Sequence, residues 1–143
     1  MKILEEIKNI LSSNGFRVTM QKHGVLSELT LEKFQEDPPF AQPISIIQFP
    51  EEENLDGSVF IQFYFESTQD ISANSLIYPE ILETNRLLPL GHFNLTKENK
   101  KLCYKYVFTA PKNGAIDEGM ITDIIDMVIY AQVAFLPKLE TLV

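Results

Sequence analysis

Cationic residues are scarce in this chain: 12 Lys and Arg stand against 20 Asp and Glu in 143 residues, a formal net charge of −8. Only Lys97, Lys100 and Lys101 gather, at what reads as a hairpin tip, so the basic stripe that neutralises phosphates is missing and nucleic acid is not expected as a partner. Cysteine occurs once, as Cys103, which rules out an internal disulfide and fits a reducing, cytoplasmic compartment. The two histidines, His23 and His92, fall in separate hairpins with no thiol or carboxylate cluster at ligand spacing, so neither metal nor cofactor is expected. Long apolar runs are absent too. The longest, Met127 to Leu136, is broken by Gln132 and is about half of a membrane span, so no membrane association is expected. The first residues carry Glu5 and Glu6 without a small-residue cleavage pattern, which argues against a secretory leader. No glycine-rich phosphate loop, internal repeat or low-complexity segment occurs.

What is present is a composition that folds. Hydrophobic residues make up 45% and charged residues 22%, which separates the chain from disordered acidic polymers. Its length suits one domain, residues 1–143, burying roughly two thirds of the unfolded surface around a single core.

The most legible stretch runs from Asn85 to Phe108, where a helix ends, a hairpin follows and a last helix closes the chain. The polar run from Thr96 to Lys101 is the turn, with Asn99 tolerating positive φ. That turn sets Leu95 against Leu102, Phe93 against Tyr104 and Gly91 against Tyr106. Alternation then places Phe93, Leu95, Leu102, Tyr104, Tyr106 and Phe108 on a core side, and His92, Asn94, Cys103, Lys105, Val107 and Thr109 on the reverse.

Upstream, Ile3, Leu4, Ile7, Ile10 and Leu11 repeat at helical spacing, so a first helix runs to about Ser13 and stops at Asn14-Gly15. Phe16, Val18 and Met20 alternate with polar residues. A turn at His23-Gly24 would pair Val18 with Leu29 and Phe16 with Leu31. Pro38, Pro39 and Pro43 mark a surface connection, Ile44 to Phe49 is a short strand candidate, and Pro50 to Gly57 is a solvated turn. From Ser58 to Glu66, Val59, Ile61, Phe63 and Phe65 form a core face. A second helix is expected from about Asn74 to Leu87, with Leu76, Ile77, Ile81, Leu82 and Leu88 apolar and Pro79 in its first turns. The final helix opens at Asp117, with acidic residues where the helix dipole favours them and Pro137 to kink or end it. The element order, α-β-β-β-(β)-α-β-β-α, predicts a two-layer α+β fold with a mainly antiparallel sheet and helices on one face.

Catalytic constellations are not assembled. Cys103 has no base or oxyanion site nearby in sequence and reads as a plain strand residue. Glu51, Glu52, Glu53 and Asp56 lack the spacing of a calcium loop. Asp117, Glu118, Asp123 and Asp126 are explained by capping and a solvated helix stripe. One feature leans toward binding: the outward sheet face includes Phe60, Tyr64, Cys103 and Val107 among polar neighbours, a composition that marks a contact surface. Either the segment from Leu31 to Gly57 folds over that face or a dimer partner covers it.

The pattern Asn85-x-x-Leu88-x-x-Gly91-x-Phe93-x-Leu95, followed by the Leu102 to Phe108 strand and an amphipathic C-terminal helix, resembles the YbjN family and the wider type III secretion chaperone-like fold. The likeness covers about Leu76 to Leu139 and, before that, rests on element order. It implies a small acidic homodimer with a chaperone-like or adaptor role toward another protein, and no catalytic residues. A different class, a small-molecule sensor or enzyme, would place a pocket between sheet and helices at Tyr104, Tyr106 or His92.

Overall fold

The computed structural model describes residues 2–24, 26–34, 42–50, 56–68, 70, 76–98 and 101–141. In chain order these form α1 (Lys2–Ser13), β1 (Phe16–His23), β2 (Leu26–Phe34), β3 (Ile44–Gln48), β4 (Ser58–Glu66), α2 (Ile77–Leu87), β5 (His92–Leu95), β6 (Leu102–Pro111) and α3 (Glu118–Glu140). The six strands make one sheet in the order β1-β2-β3-β4-β6-β5, every neighbour antiparallel. This is the α+β architecture that the periodicities require. Helix α3 contacts both α1 and α2, so the three helices share one face of the sheet.

The core lies between those layers because each layer has one apolar side. Leu4, Ile7 and Leu11 of α1, Ile61, Phe63 and Phe65 of β4, and Ile121, Ile125 and Val128 of α3 are all buried in one cluster. Removing each such side chain from water contributes about 1.5–3 kcal/mol. Phe65 stacks on Tyr104 at 4.9 Å and meets Phe93 edge-on at 5.8 Å, which ties β4, β5 and β6 together through one aromatic group.

The β5–β6 register follows the turn chemistry: Leu95 faces Leu102 and Phe93 faces Tyr104. Thr96 N donates to Lys101 O to close the loop, and Asn99 and Lys100 lie outside the described residues. Gly91, however, does not pair with Tyr106. It takes φ +72°, which turns the chain off the sheet immediately before His92. The first hairpin also differs from expectation, since Met20 rather than Val18 faces Leu29, Val18 faces Leu31, and Phe16 faces Phe34. Its strands meet at His23 and Leu26, with Gly24 at φ +65°. A shift of this kind by two residues leaves every side chain on its expected face. A bulge between Arg17 and Val18 absorbs the remainder.

Residues 44–48 are a full member of the sheet, paired with β2 and β4. This part of the 31–57 segment therefore lies in the plane of the sheet and not over its outer face, while residues 35–41 and 51–55 are outside the described residues. Helix α2 begins at Ile77, with Pro79 in its first turn, and residues 74 and 75 of the expected start are outside the described residues. Its contact side is Ile77, Ile81 and Thr84. Leu76 and Leu82, named among the apolar residues of the expected helix, are each 67% exposed, because residues one position before or after that stripe point away from the layer. Asp117 caps α3 by accepting from Met120 N at 2.8 Å. Pro137 does not end α3, which continues to Glu140; the carbonyl that a proline frees four residues back belongs to Val133, an exposed residue.

Two side-chain amides act as pieces of backbone. Gln132, only 2% exposed, accepts from Gln42 N and donates to Gln42 O, both at 3.0 Å. Asn85 donates to Phe93 O at 3.0 Å and accepts from Phe93 N at 2.7 Å. The first explains the polar residue inside the apolar α3 run. The second satisfies the outward-facing backbone groups of edge strand β5.

Candidate functional site

Strand registers assemble the outward face as a grid. One row reads Thr30, Ser45, Tyr64, Lys105 and His92; the next reads Glu28, Ile47, Gln62 and Val107; the next pairs Phe60 with Thr109. On the far side of the first row, Glu66 faces Cys103 and Cys103 faces Asn94. The four residues singled out from sequence all lie on this face and are all half-buried. They do not form one site. Tyr64 and Phe60 stand four residues apart, about 13 Å along the strand, and their surroundings differ.

Tyr64 and Cys103 belong to a polar cluster. The Tyr64 hydroxyl donates to Glu66 Oε2 at 2.7 Å and shares a hydrogen bond with the Cys103 thiol. Lys101 Nζ lies 3.8 Å from Glu66 Oε1. Nearby, Ser45 donates to Glu28, whose other oxygen is 3.4 Å from His23 Nε2. A shallow depression of about 430 Å³ lies among Glu28, Ser45, Tyr64, Glu66 and Lys101. Burial pushes the Cys103 thiol and the Tyr64 hydroxyl above their ordinary pKa values, and the bond to Glu66 raises Tyr64 further. Both are therefore protonated at neutral pH, so Cys103 is a thiol and a poor nucleophile.

Phe60 and Val107 belong to an apolar strip. Phe49 N donates to Phe60 O at 3.0 Å, and the two rings meet with centroids 5.9 Å apart. Ile47 sits in the adjacent row and is separated from Val107 only by Gln62. The β2–β3 register, continued one step past Ser27 and Gln48, brings Leu26 beside Phe49. Sequence reasoning missed Leu26, Ile47 and Phe49. Ile46 and Ile47 are adjacent and both apolar, so alternation within β3 does not say which one faces inward; the pairing with β2 and β4 decides it.

The residues proposed for a pocket between the layers are separated. Tyr104 is fully buried and donates to Leu90 O at 2.7 Å, while His92 is exposed on the opposite face beside Lys105. Tyr106 alone lines an open groove of about 750 Å³ between β6 and α3. Among the acidic candidates, Asp117 is the α3 cap, Glu118 accepts from Asn14 at 3.3 Å, and Asp123 and Asp126 are exposed. Among the described residues, no three His, Cys, Asp or Glu side chains converge to hold a metal ion; Glu51, Glu52 and Glu53 are outside them. Helix α3 is long and apolar enough to cross a membrane, and here eight of its residues are buried, so its apolar content is also that of a core helix. Tyr78, Leu82 and Leu87 of α2 are also exposed, with Leu87 on the other flank of the helix from Tyr78.

Compared with family models, curated proteins and solved structures, the chain matches none significantly.

Proposed function

We propose that the protein is a non-enzymatic binding module, chaperone-like or adaptor in role, of the type III secretion chaperone-like architecture and related to YbjN proteins. It acts in the cytoplasm as a homodimer and holds another protein through apolar patches on its sheet. The observation that carries this reading is the strip of Leu26, Ile47, Phe49, Phe60 and Val107, placed mostly on central strands where a face turned to water favours polar residues. Flat half-buried apolar surface of this kind gains free energy when covered. The acidic net charge keeps the free module soluble and disfavours anionic partners.

The test is affinity capture from cells by wild-type protein and by Phe60→Asp and Ile47→Asp, each first checked for native circular dichroism. Loss of the same captured protein from both folded variants supports the reading; wild-type capture by both removes the outer face from it. Sedimentation of the purified protein as a monomer removes the homodimer. A second reading, a small-molecule sensor or enzyme, is favoured by the groove beside Tyr106. Thermal-shift screening against metabolites, with turnover of any that bind, separates that class from the first.

A further inference from the structure

The sheet has an unfinished edge. Strand β6 pairs with β4 along its whole length, from Cys103 to Pro111, but with β5 only from Leu102 to Lys105. Which backbone groups the remainder presents follows from the hydrogen bonds on either side. Ser67 and Leu102 bond each other across the β4 side, and Lys112 N donates to Gly57 O, so even-numbered residues of β6 face β4. Thr96 N donates to Lys101 O on the other side, so odd-numbered residues face β5. Beyond Lys105 the odd-numbered residues are Val107, Thr109 and Pro111. Gly91 has turned the chain off the sheet by then, and among the described residues no strand pairs with Val107 or Thr109 on that side. Pro111 has no N–H to offer, which ends the open stretch.

The core side of the same stretch is also uncovered. Tyr106 and Phe108 point toward the helices yet are only half-buried, unlike Leu102 and Tyr104 on the same strand. They floor the groove, Ile124 and Met127 wall it, and the carboxylates of Asp117 and Asp123 stand at its rim. We propose that this edge and groove receive an extended segment of another protein, added as a seventh strand beside β6, with apolar side chains alternating into the groove and a Lys or Arg meeting Asp117 and Asp123. The open N–H and C=O groups require an extended backbone, the groove requires apolar residues at every second position, and the rim selects a cation. A helix satisfies its own backbone and leaves the edge unpaired. This inference rests on the reading of the chain as a protein-binding module but uses a different surface from Phe60 and Ile47, so each can fail alone.

The experiment uses the full chain and a fluorescein-labelled nine-residue peptide that alternates Thr with Val, Leu and a terminal Lys. Two controls carry a central Pro or replace the Lys with Glu. Saturable binding of the first peptide is expected, weakened roughly tenfold or more in each control, with slowed hydrogen exchange at the Val107 and Thr109 amides. Thr109→Pro deletes only an edge-facing N–H and should abolish binding, whereas Thr109→Ala, which keeps that N–H, should retain it. Should Thr109→Pro fail to fold, Asp123→Lys at an exposed position should transfer preference to the Glu peptide. No binding by folded wild-type protein overturns the proposal, as does binding that leaves both amides unprotected or persists unchanged in folded Thr109→Pro. A dimer that Thr109→Pro dissociates assigns the edge to a second copy and overturns it as well. Loss of cellular capture in Phe60→Asp with peptide binding intact touches only the outer-face reading.

Discussion

Along β1 the sheet edge carries Arg17 and Lys22 in solvent and is bent by a bulge between Arg17 and Val18, whereas the opposite edge is closed in one half and open in the other. Charge and bulges are the usual means of keeping a foreign strand away. On the far edge the Asn85 amide occupies the outward groups of Phe93, and then Gly91 takes the chain away, so that among the described residues no strand and no side-chain amide caps Val107 or Thr109. Selective docking of a strand thus needs two protected stretches as much as one open stretch. Alternation alone does not distinguish them; what differs is which neighbour satisfies the backbone.

The largest effect should come from Gly91→Val. A Cβ there would lie against the Tyr104 ring and 2.8 Å from Lys105 O, at a φ of +72° that branched residues avoid. Backbone strain and overpacking together should cost about 3 kcal/mol or more in urea denaturation, and a near-neutral result would mean that β5 can extend along the edge. Asn85→Ala comes next. It strips both partners from Phe93, and a loss of about 1–3 kcal/mol with faster exchange of the Phe93 amide is expected. Asn85→Asp keeps the acceptor and should lose less; equal losses would show that the Phe93 N–H gains nothing from the side chain.

Alkaline pH should weaken the β4–β6 half of the sheet. Burial holds Cys103, Tyr64 and Tyr104 protonated above their ordinary values of 9.0, 10.0 and 10.0. The folded state therefore binds more protons than the unfolded state in that range. Stability is complete below about pH 9 and falls as pH rises through 9 to 10 and beyond. Denaturation midpoints from pH 7 to 11 should show this fall, and Tyr104→Phe should flatten part of it; an unchanged slope in that variant would place the alkaline sensitivity elsewhere. The smallest effect on stability, within about 0.5 kcal/mol, is expected for Arg17→Val with Lys22→Val. That variant should nevertheless scatter more light on concentration, because an undefended edge invites pairing. Unchanged solubility would leave the bulge as the sole guard of β1.

Much of this was legible from residue order. The alternation of Val59, Ile61, Phe63 and Phe65 specified the inner face of β4, and the polar turn specified Leu95 opposite Leu102 and Phe93 opposite Tyr104. The strand candidate Ile44 to Phe49, which forms over Ile44–Gln48, and the Asp117 cap were legible as well. The first-hairpin register was not, since either residue beside Gly24 can complete a two-residue turn and the outcome depends on the pairing of β2 with β3. Of the candidate site, the outward direction of Phe60, Tyr64, Cys103 and Val107 was readable, but its division into a polar cluster and an apolar strip was not. That division depends on Glu66, Lys101, Ile47 and Phe49, which reach those residues only across strands.

Local chemistry determined where helices and strands lie, which side of each is apolar, and hence that one layer of helices covers an antiparallel sheet, because burial periodicity is written along a single segment. Tertiary structure decided which leucines of α2 remain in water, that Gln132 and Asn85 stand in for backbone, and that β6 outruns β5. Those outcomes depend on the relative lengths and positions of segments distant in sequence, and backbone groups left without partners become visible only when every neighbouring strand has been placed.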